Sequence, residues 1–226
     1  MANEGRDIVL FLTRGKIYLY AGSAVMSMSF PEGAVRDVDV VNQESLTKSV
    51  TSFIQTNNLT PAQIFFVLAE SACFSKDFAV NSQLSVPALE AEIQDFINSI
   101  PFESVVSKVY KTATVERAVA SNQELIDIIM DVFTAKGFGL TALVPANIYS
   151  KYAGEDELTS DFARTILGDK EKAVSGSLVG ASTQSDGHEI STTKASGKPS
   201  KLRLYILVGV FVAGLIFLGV ILLMRG

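Results

Sequence analysis

The stretch LYILVGVFVAGLIFLGVILLM, from Leu204 to Met224, holds no charged residue and only Tyr205 as a polar side chain. Core helices are rarely so long and so uniformly apolar, which makes a membrane the environment this stretch fits. As a helix rising about 1.5 Å per residue it reaches roughly 30 Å, the thickness of a bilayer's hydrocarbon core. Gly209 and Ala213, followed by Gly214, form a small-xxx-small pair, a weak signal of helix association. Lys194, Lys198, Lys201 and Arg203 precede the run and only Arg225 follows it, so the positive-inside tendency places everything before it in the cytoplasm. A cleaved lipid-anchor signal would need a secretory N-terminus. The apolar run Ile8 to Leu12, five residues between charges, is not one. The expected topology is tail-anchored and single-pass, with membrane lipid contacted through the C-terminal helix.

Ahead of the span, residues 166–201 read as a flexible linker. From Gly168 to Lys201 they are rich in Gly, Ser, Thr and Lys and contain no Phe, Tyr or Trp, a composition that cannot bury a core. Three parts follow: a folded module over 1–165, the linker over 166–201 and the anchor over 202–226. Charge divides along the same line. Residues 1–165 carry 12 Lys/Arg against 20 Asp/Glu, a net of −8, and residues 166–226 carry 7 against 4, a net of +3. An acidic globule is repelled by nucleic acid and by anionic lipid, so its partners are proteins. The lone Cys73 excludes an internal disulfide and fits a reducing compartment.

Within the module the pattern is α/β. Ile8-Leu12 and Ile17-Tyr20 read as a hairpin through Thr13-Arg14-Gly15-Lys16, with Gly15 available for a positive φ. A third strand over Ala24 to Phe30 and a half-buried edge over Ala34 to Val41 would complete a meander. Leu46, Val50, Phe53 and Ile54 share one helical face between Gln43 and Asn57, and Ile64 to Ala69 is a short apolar run suited to a central strand. A strand is expected through Gln83-Leu84-Ser85-Val86, then a helix from Pro87 whose stripe is Leu89, Ile93, Phe96, Ile97 and Ile100. Pro101 ends it. Val105 to Tyr110 and Thr114 to Ala120 alternate as paired strands. A second helix from Asn122 to Lys136 closes on a left-handed cap at Gly137, and Leu140 to Pro145 makes the last strand.

Catalytic machinery is scarce. The single histidine, His188, falls in the linker, which leaves the module without a His-based triad or a His-ligated metal site. Cys73 has no base beside it in sequence and reads as a small hydrophobe. The isolated glycine turns match neither phosphate-binding fingerprint. No catalytic, cofactor-binding or metal-binding residue is assigned, no cofactor is expected, and the chain reads as a non-enzyme.

The order of elements carries a resemblance. The segments VLAESACFSKDF, VPALEAEIQDFINSIPFESVVSKVY and TATVERAVASNQELIDIIMDVFTAKGFGLTALVP, following a hairpin, a helix and a buried strand, resemble the first half of the actin-like PilM proteins of type IV pilus assembly. They are similar also to the cytoplasmic part of the GspL proteins of type II secretion. The resemblance covers residues 8 to 150 and implies a partial actin-like (ribonuclease H-like) mixed sheet with a small inserted α/β subdomain. In that family a helix leads through an Ile-Pro-Phe step into a strand, here Ile100, Pro101 and Phe102, which become candidate protein contacts. The departures are equally specific. Ile8 to Leu12 contains no acid, the following turn is Thr13-Arg14-Gly15-Lys16, and the linker begins where the family's second lobe would. The resemblance implies a scaffold at the inner membrane that docks a cytoplasmic motor ATPase and other platform proteins, with a homo-oligomer left open. A degenerate nucleotide switch and a tail-anchored division or cytoskeletal adaptor are the alternatives.

Overall fold

The computed structural model describes residues 6–80, 85–112 and 114–179. Its centre is a five-stranded sheet. Strands β1 (Asp7–Leu12), β2 (Lys16–Tyr20) and β3 (Val25–Ser29) form an antiparallel meander, and β6 (Gln63–Leu68) and β10 (Gly139–Pro145) extend it in parallel beyond β1, giving the order β10-β6-β1-β2-β3. This mixed sheet is consistent with the actin-like module that the resemblance implies.

The near-continuous apolar strands follow from burial on both faces. Ile8, Leu10 and Leu12 of β1, with Ile64, Phe66 and Leu68 of β6, face helices α1 (Gln43–Thr56) and α3 (Gln123–Thr134). Val9 and Phe11, with Phe65 and Val67, face the other way, toward α4 (Ser160–Gly168) and the short α5 (Lys170–Ser175). Helix α1 starts at Asn42, whose side chain accepts the Ser45 N–H at 2.9 Å, and buries Leu46, Val50, Phe53 and Ile54 as its spacing predicts. Helix α3 ends as expected too. Gly137 is left-handed at φ +87, the Phe138 N–H returns to the Phe133 carbonyl at 3.2 Å, and the two rings meet edge to face at 5.2 Å.

Between β6 and α3 lies an inserted subdomain. Strands β7 (Phe74–Ala79), β9 (Val115–Asn122) and β8 (Val105–Lys111) form an antiparallel sheet in the order β7-β9-β8, with α2 (Val86–Asn98) on one face. Helix α2 buries Leu89 and Ile93, while Phe96 and Ile97 stay half-buried against Phe78 and Ala118.

Four expectations are corrected. The stretch 34–41 is not an edge strand but a tight hairpin, β4 (Val35–Arg36) with β5 (Asp39–Val40), because Asp37 and Val38 both take positive φ at its turn. Ser85 and Val86 begin α2 rather than ending a strand, and the insert's first strand is Phe74–Ala79, whose run of polar residues hid its pairing. Gly15 is not among the left-handed residues. The chain also stays ordered past 165: Thr159 caps α4 by accepting the Phe162 N–H, and Ile166, Ala173 and Leu178 are buried, so packing holds a stretch whose composition reads as linker.

No helix among the described residues is long and apolar enough to cross a membrane. The expected anchor from Leu204 to Met224, its basic flanks and the remainder of the linker lie outside the described residues.

Candidate functional site

Ligands of parallel sheets sit at the carboxyl ends of the strands, and here that end is occupied by the chain itself. The Thr13 hydroxyl, buried beyond β1, accepts the Lys16 N–H at 3.1 Å and donates to the Lys16 carbonyl at 3.2 Å. The turn therefore satisfies its own polar groups. The Arg14 N–H goes to Ser71 Oγ at 3.2 Å, and the Arg14 guanidinium reaches Asp37 at 3.7 Å with both side chains mostly exposed, a contact worth little. Beyond β6, the Tyr152 phenol accepts the Glu70 N–H at 3.1 Å and donates to the Glu155 carbonyl at 3.2 Å. One side chain thus pairs both of these backbone groups. The loop that carries it is acidic. Burial first, then Glu157 and Asp156, pushes the Tyr18 phenol above its ordinary value. The acid in β1 is Asp7, at the amino end, where it pairs with Lys170.

The inserted subdomain meets this end of the sheet at the 3-10 turn Glu70–Ala72. Strand β9 and this turn come close together here, and the Glu70 carboxylate adds, behind burial, to the upward push on the Cys73 thiol and the Tyr152 phenol. Buried Ser121 Oγ ties them by donating to the Ala72 carbonyl at 2.7 Å. Arg117 makes a two-pronged fork with Asp77 of β7, at 2.5 and 2.6 Å. That hydrogen bond holds the Asp77 carboxyl below the usual range and raises Arg117 further. Burial pushes the Cys73 thiol up to about 12, with Glu70 adding to it, which keeps the sulfur protonated and a poor nucleophile at neutral pH.

The insert is gripped from its open face. Lys108 of β8 donates to the Ser175 carbonyl at 3.0 Å and the Ser177 carbonyl at 2.8 Å, and Tyr110 Oη donates to the Gly176 carbonyl at 2.7 Å. The same segment closes the outer edge of β10. Leu178 N–H reaches the Leu143 carbonyl at 2.7 Å, and Leu143 N–H reaches Ser177 Oγ at 3.1 Å. Desolvation lowers the Lys108 ammonium and raises the Tyr110 phenol.

The candidate contacts from sequence part company. Ile100 is a core residue at 6% exposure, while Pro101 is exposed and sits inside a turn closed by the Phe102 N–H on the Ile100 carbonyl at 2.9 Å. Half-buried Phe102 leans on the main core and meets Phe74 edge to face at 5.6 Å, leaving an aromatic pair at the surface. Sequence reasoning missed the Asp77–Arg117 fork, the Tyr152 bridge and the Lys108–Tyr110 clamp. Only strand register and chain return bring those groups together.

At the amino ends of the same strands lies an open depression of about 220 Å³, with Arg6, Leu19, Ala21, Asn57, Thr60 and Phe138 in its walls. No cluster of three or more metal-ligating side chains occurs among the described residues.

No family model matches the sequence, and no curated protein matches it. The solved structures similar to it include these two. One is titled PilM-PilN type IV pilus biogenesis complex, at 15% identity and a TM-score of 0.43, covering 61% of this chain and 46% of that one. The other is the cytoplasmic domain of EpsL, an inner membrane component of the type II secretion system of Vibrio cholerae, at 14% identity and a TM-score of 0.36, covering 62% and 57%. The chain spans about half the length of the solved structures it matches.

Proposed function

We propose that this chain is a non-enzymatic scaffold of an inner-membrane assembly platform of the type IV pilus or type II secretion kind. Its folded module docks a cytoplasmic motor ATPase and other platform proteins, and the C-terminal apolar run holds it at the membrane. The observation that carries the non-enzymatic half is the self-occupied carboxyl end of the sheet. The Thr13 turn closes on itself and Tyr152 bridges Glu70 and Glu155, beside an acidic loop that repels phosphate. The platform half rests on the order of segments that resembles the PilM and GspL proteins, with the insert in the place that order implies.

Docking is assigned to two surfaces at the insert: the charged patch of Glu70, Asp77 and Arg117, and the aromatic pair of Phe74 and Phe102. The test is mild-detergent extraction of the full tagged chain from its own membranes, followed by identification of what co-purifies in near-equal amount. A secretion or pilus motor with its platform proteins is the expected recovery, reduced several-fold by Arg117→Glu or Phe102→Ala. Recovery of division proteins, or stoichiometric ATP binding by the full chain with or without partners, would replace the scaffold with an adaptor or a nucleotide switch.

A further inference from the structure

The segment that ends α5 and follows it is held from two sides at once. Its donors serve the main module. The Leu178 N–H reaches the Leu143 carbonyl of β10 at 2.7 Å and the Gly176 N–H the Lys172 carbonyl at 2.9 Å, while Ser177 Oγ accepts the Leu143 N–H at 3.1 Å. Its acceptors serve the insert. Successive carbonyls of Ser175, Gly176 and Ser177 take their hydrogen bonds from Lys108 and Tyr110 of β8. The seat fits closely, since a β-carbon at Gly176 would lie 2.9 Å from the Lys172 carbonyl oxygen and 3.0 Å from Ile148 Cδ1. Ser177 and Leu178 are buried, and burial stops there, with Val179 42% exposed.

We infer that Ser175–Leu178 is a latch linking the docking insert to the membrane-bound end of the chain. Drawn off its seat, it frees the insert and bares the outer edge of β10 in one step. Connectivity carries the first half of the argument. From Leu178 the sequence runs through a Gly-, Ser- and Thr-rich stretch to the apolar run at Leu204, so a pull on that end reaches Leu178 before any strand. Peeling from an end breaks these bonds one after another, whereas a strand paired along both edges must give up many together.

Register carries the second half. Tyr110 stands opposite Arg117, and Arg117 opposite Asp77, so the three side chains form one row across β8, β9 and β7. That row touches the latch at one end and the charged docking patch at the other. By linkage, whatever holds the latch open favours the freed insert, and a partner that prefers the freed insert opens the latch. The membrane and docking ends of this link rest on the scaffold role proposed above, and the latch itself on these bonds.

Native-state hydrogen exchange on the purified full chain in mild detergent reads the coupling. The Leu143 and Leu178 amides and the β8 amides paired with β9 should exchange through one shared opening, at urea concentrations where β1 and β6 stay protected. Lys108→Met with Tyr110→Phe loosens the latch from the insert side and should speed exchange at Leu143 and Leu178 at least about tenfold. Ser177→Ala with Leu178→Ala loosens it from the other side and should speed β8 likewise. Either pair speeding only its own side, or speeding β1 and β6 equally, would overturn the latch. Magnetic tweezers read the pull, with handles at Ser52→Cys, exposed on α1, and at Ser191→Cys in a Cys73→Ala background. A reversible lengthening of roughly 13 Å, the reach of the extended chain from Gly176 to Val179, should precede unfolding of the module. The Lys108→Met, Tyr110→Phe pair should lower the force of that step. A single unfolding event, or a first step indifferent to that pair, would equally overturn it. No readout here needs a partner, so a failed latch is told apart from a failed scaffold, which co-purification reports.

Discussion

The two sheets are built from similar strands and held by different means. The five-stranded sheet is packed on both faces, and Phe11, Phe65, Phe66, Leu10, Leu12 and Ile64 are all fully buried. The inserted sheet has one helix on one face and a buried apolar cluster of only Phe78, Leu89, Ile93 and Ala118. Its other face is held by hydrogen bonds to three carbonyls at the end of α5 and just after it. A sandwiched sheet is rigid because removing any large side chain opens a cavity. A sheet held by a thin core and a polar strap can shift as a unit without such a cost, which suits a docking element.

That contrast can be broken from the core outward. Phe66→Ala in the central strand should cost about 3–5 kcal/mol and lower the midpoint of the whole unfolding transition in urea. Ile93→Ala in α2 should cost about 2–4 kcal/mol, but hydrogen exchange should speed in β7, β8 and β9 while β1 and β6 keep their protection. Equal loss of protection in both sheets would show that the insert is not a separate unit.

The junction between the sheets rests on Asn122. Its side chain accepts the Glu124 N–H at 2.9 Å as the cap of α3 and donates to the Val38 carbonyl at 3.0 Å, at a buried β-branched residue of φ +62. Positive φ at valine is strained, and the Asn122 bond with burial of the Val38 side chain offsets that strain. Asn122→Ala should cost about 2 kcal/mol in thermal unfolding, from the lost cap and a buried carbonyl left unsatisfied. Asn122→Asp, which keeps the cap but sets a buried carboxylate oxygen against the Val38 carbonyl, should cost at least as much.

A smaller effect of opposite sign is expected at Tyr149, whose buried phenol oxygen has no partner among the described residues. Tyr149→Phe should stabilise by up to about 1 kcal/mol in urea unfolding. The smallest effect belongs to the Asp77–Arg117 fork, whose side chains are 49% and 43% exposed. Solvent screening limits it to a few tenths of a kcal/mol. Asp77 has a depressed pKa in the folded state, so its contribution is present above the unfolded carboxylate value near 3.9 and is lost as pH falls through the folded value. Wild type should lose slightly more stability than Arg117→Ala between pH 5 and the acid limit.

Most of the elements were legible in the residues because their signals are local. The spacing of Leu46, Val50, Phe53 and Ile54 makes α1 wherever it packs. The apolar run at 64–69 needs two covered faces, and Gly137 permits the cap that ends α3. Strand β7 was not legible, since Phe-Ser-Lys-Asp-Phe-Ala lacks alternation and is ordered by β9. The stretch 166–178 was not either, because its few apolar residues matter only once Ile166, Ala173 and Leu178 find the sheet.

The candidate site divides in the same way. The lack of a histidine in the module, the exposed proline and the two phenylalanines at 74 and 102 are properties of the chain itself. The Arg117 fork with Asp77, forty residues away in sequence, and the Tyr152 bridge between Glu70 and Glu155 exist only after the strands choose their neighbours. Composition and periodicity act over a few residues through torsional preference and hydrophobic patterning. Which charge meets which, and which edge is left unpaired, are set by register and topology, and those are decided by packing across the whole module.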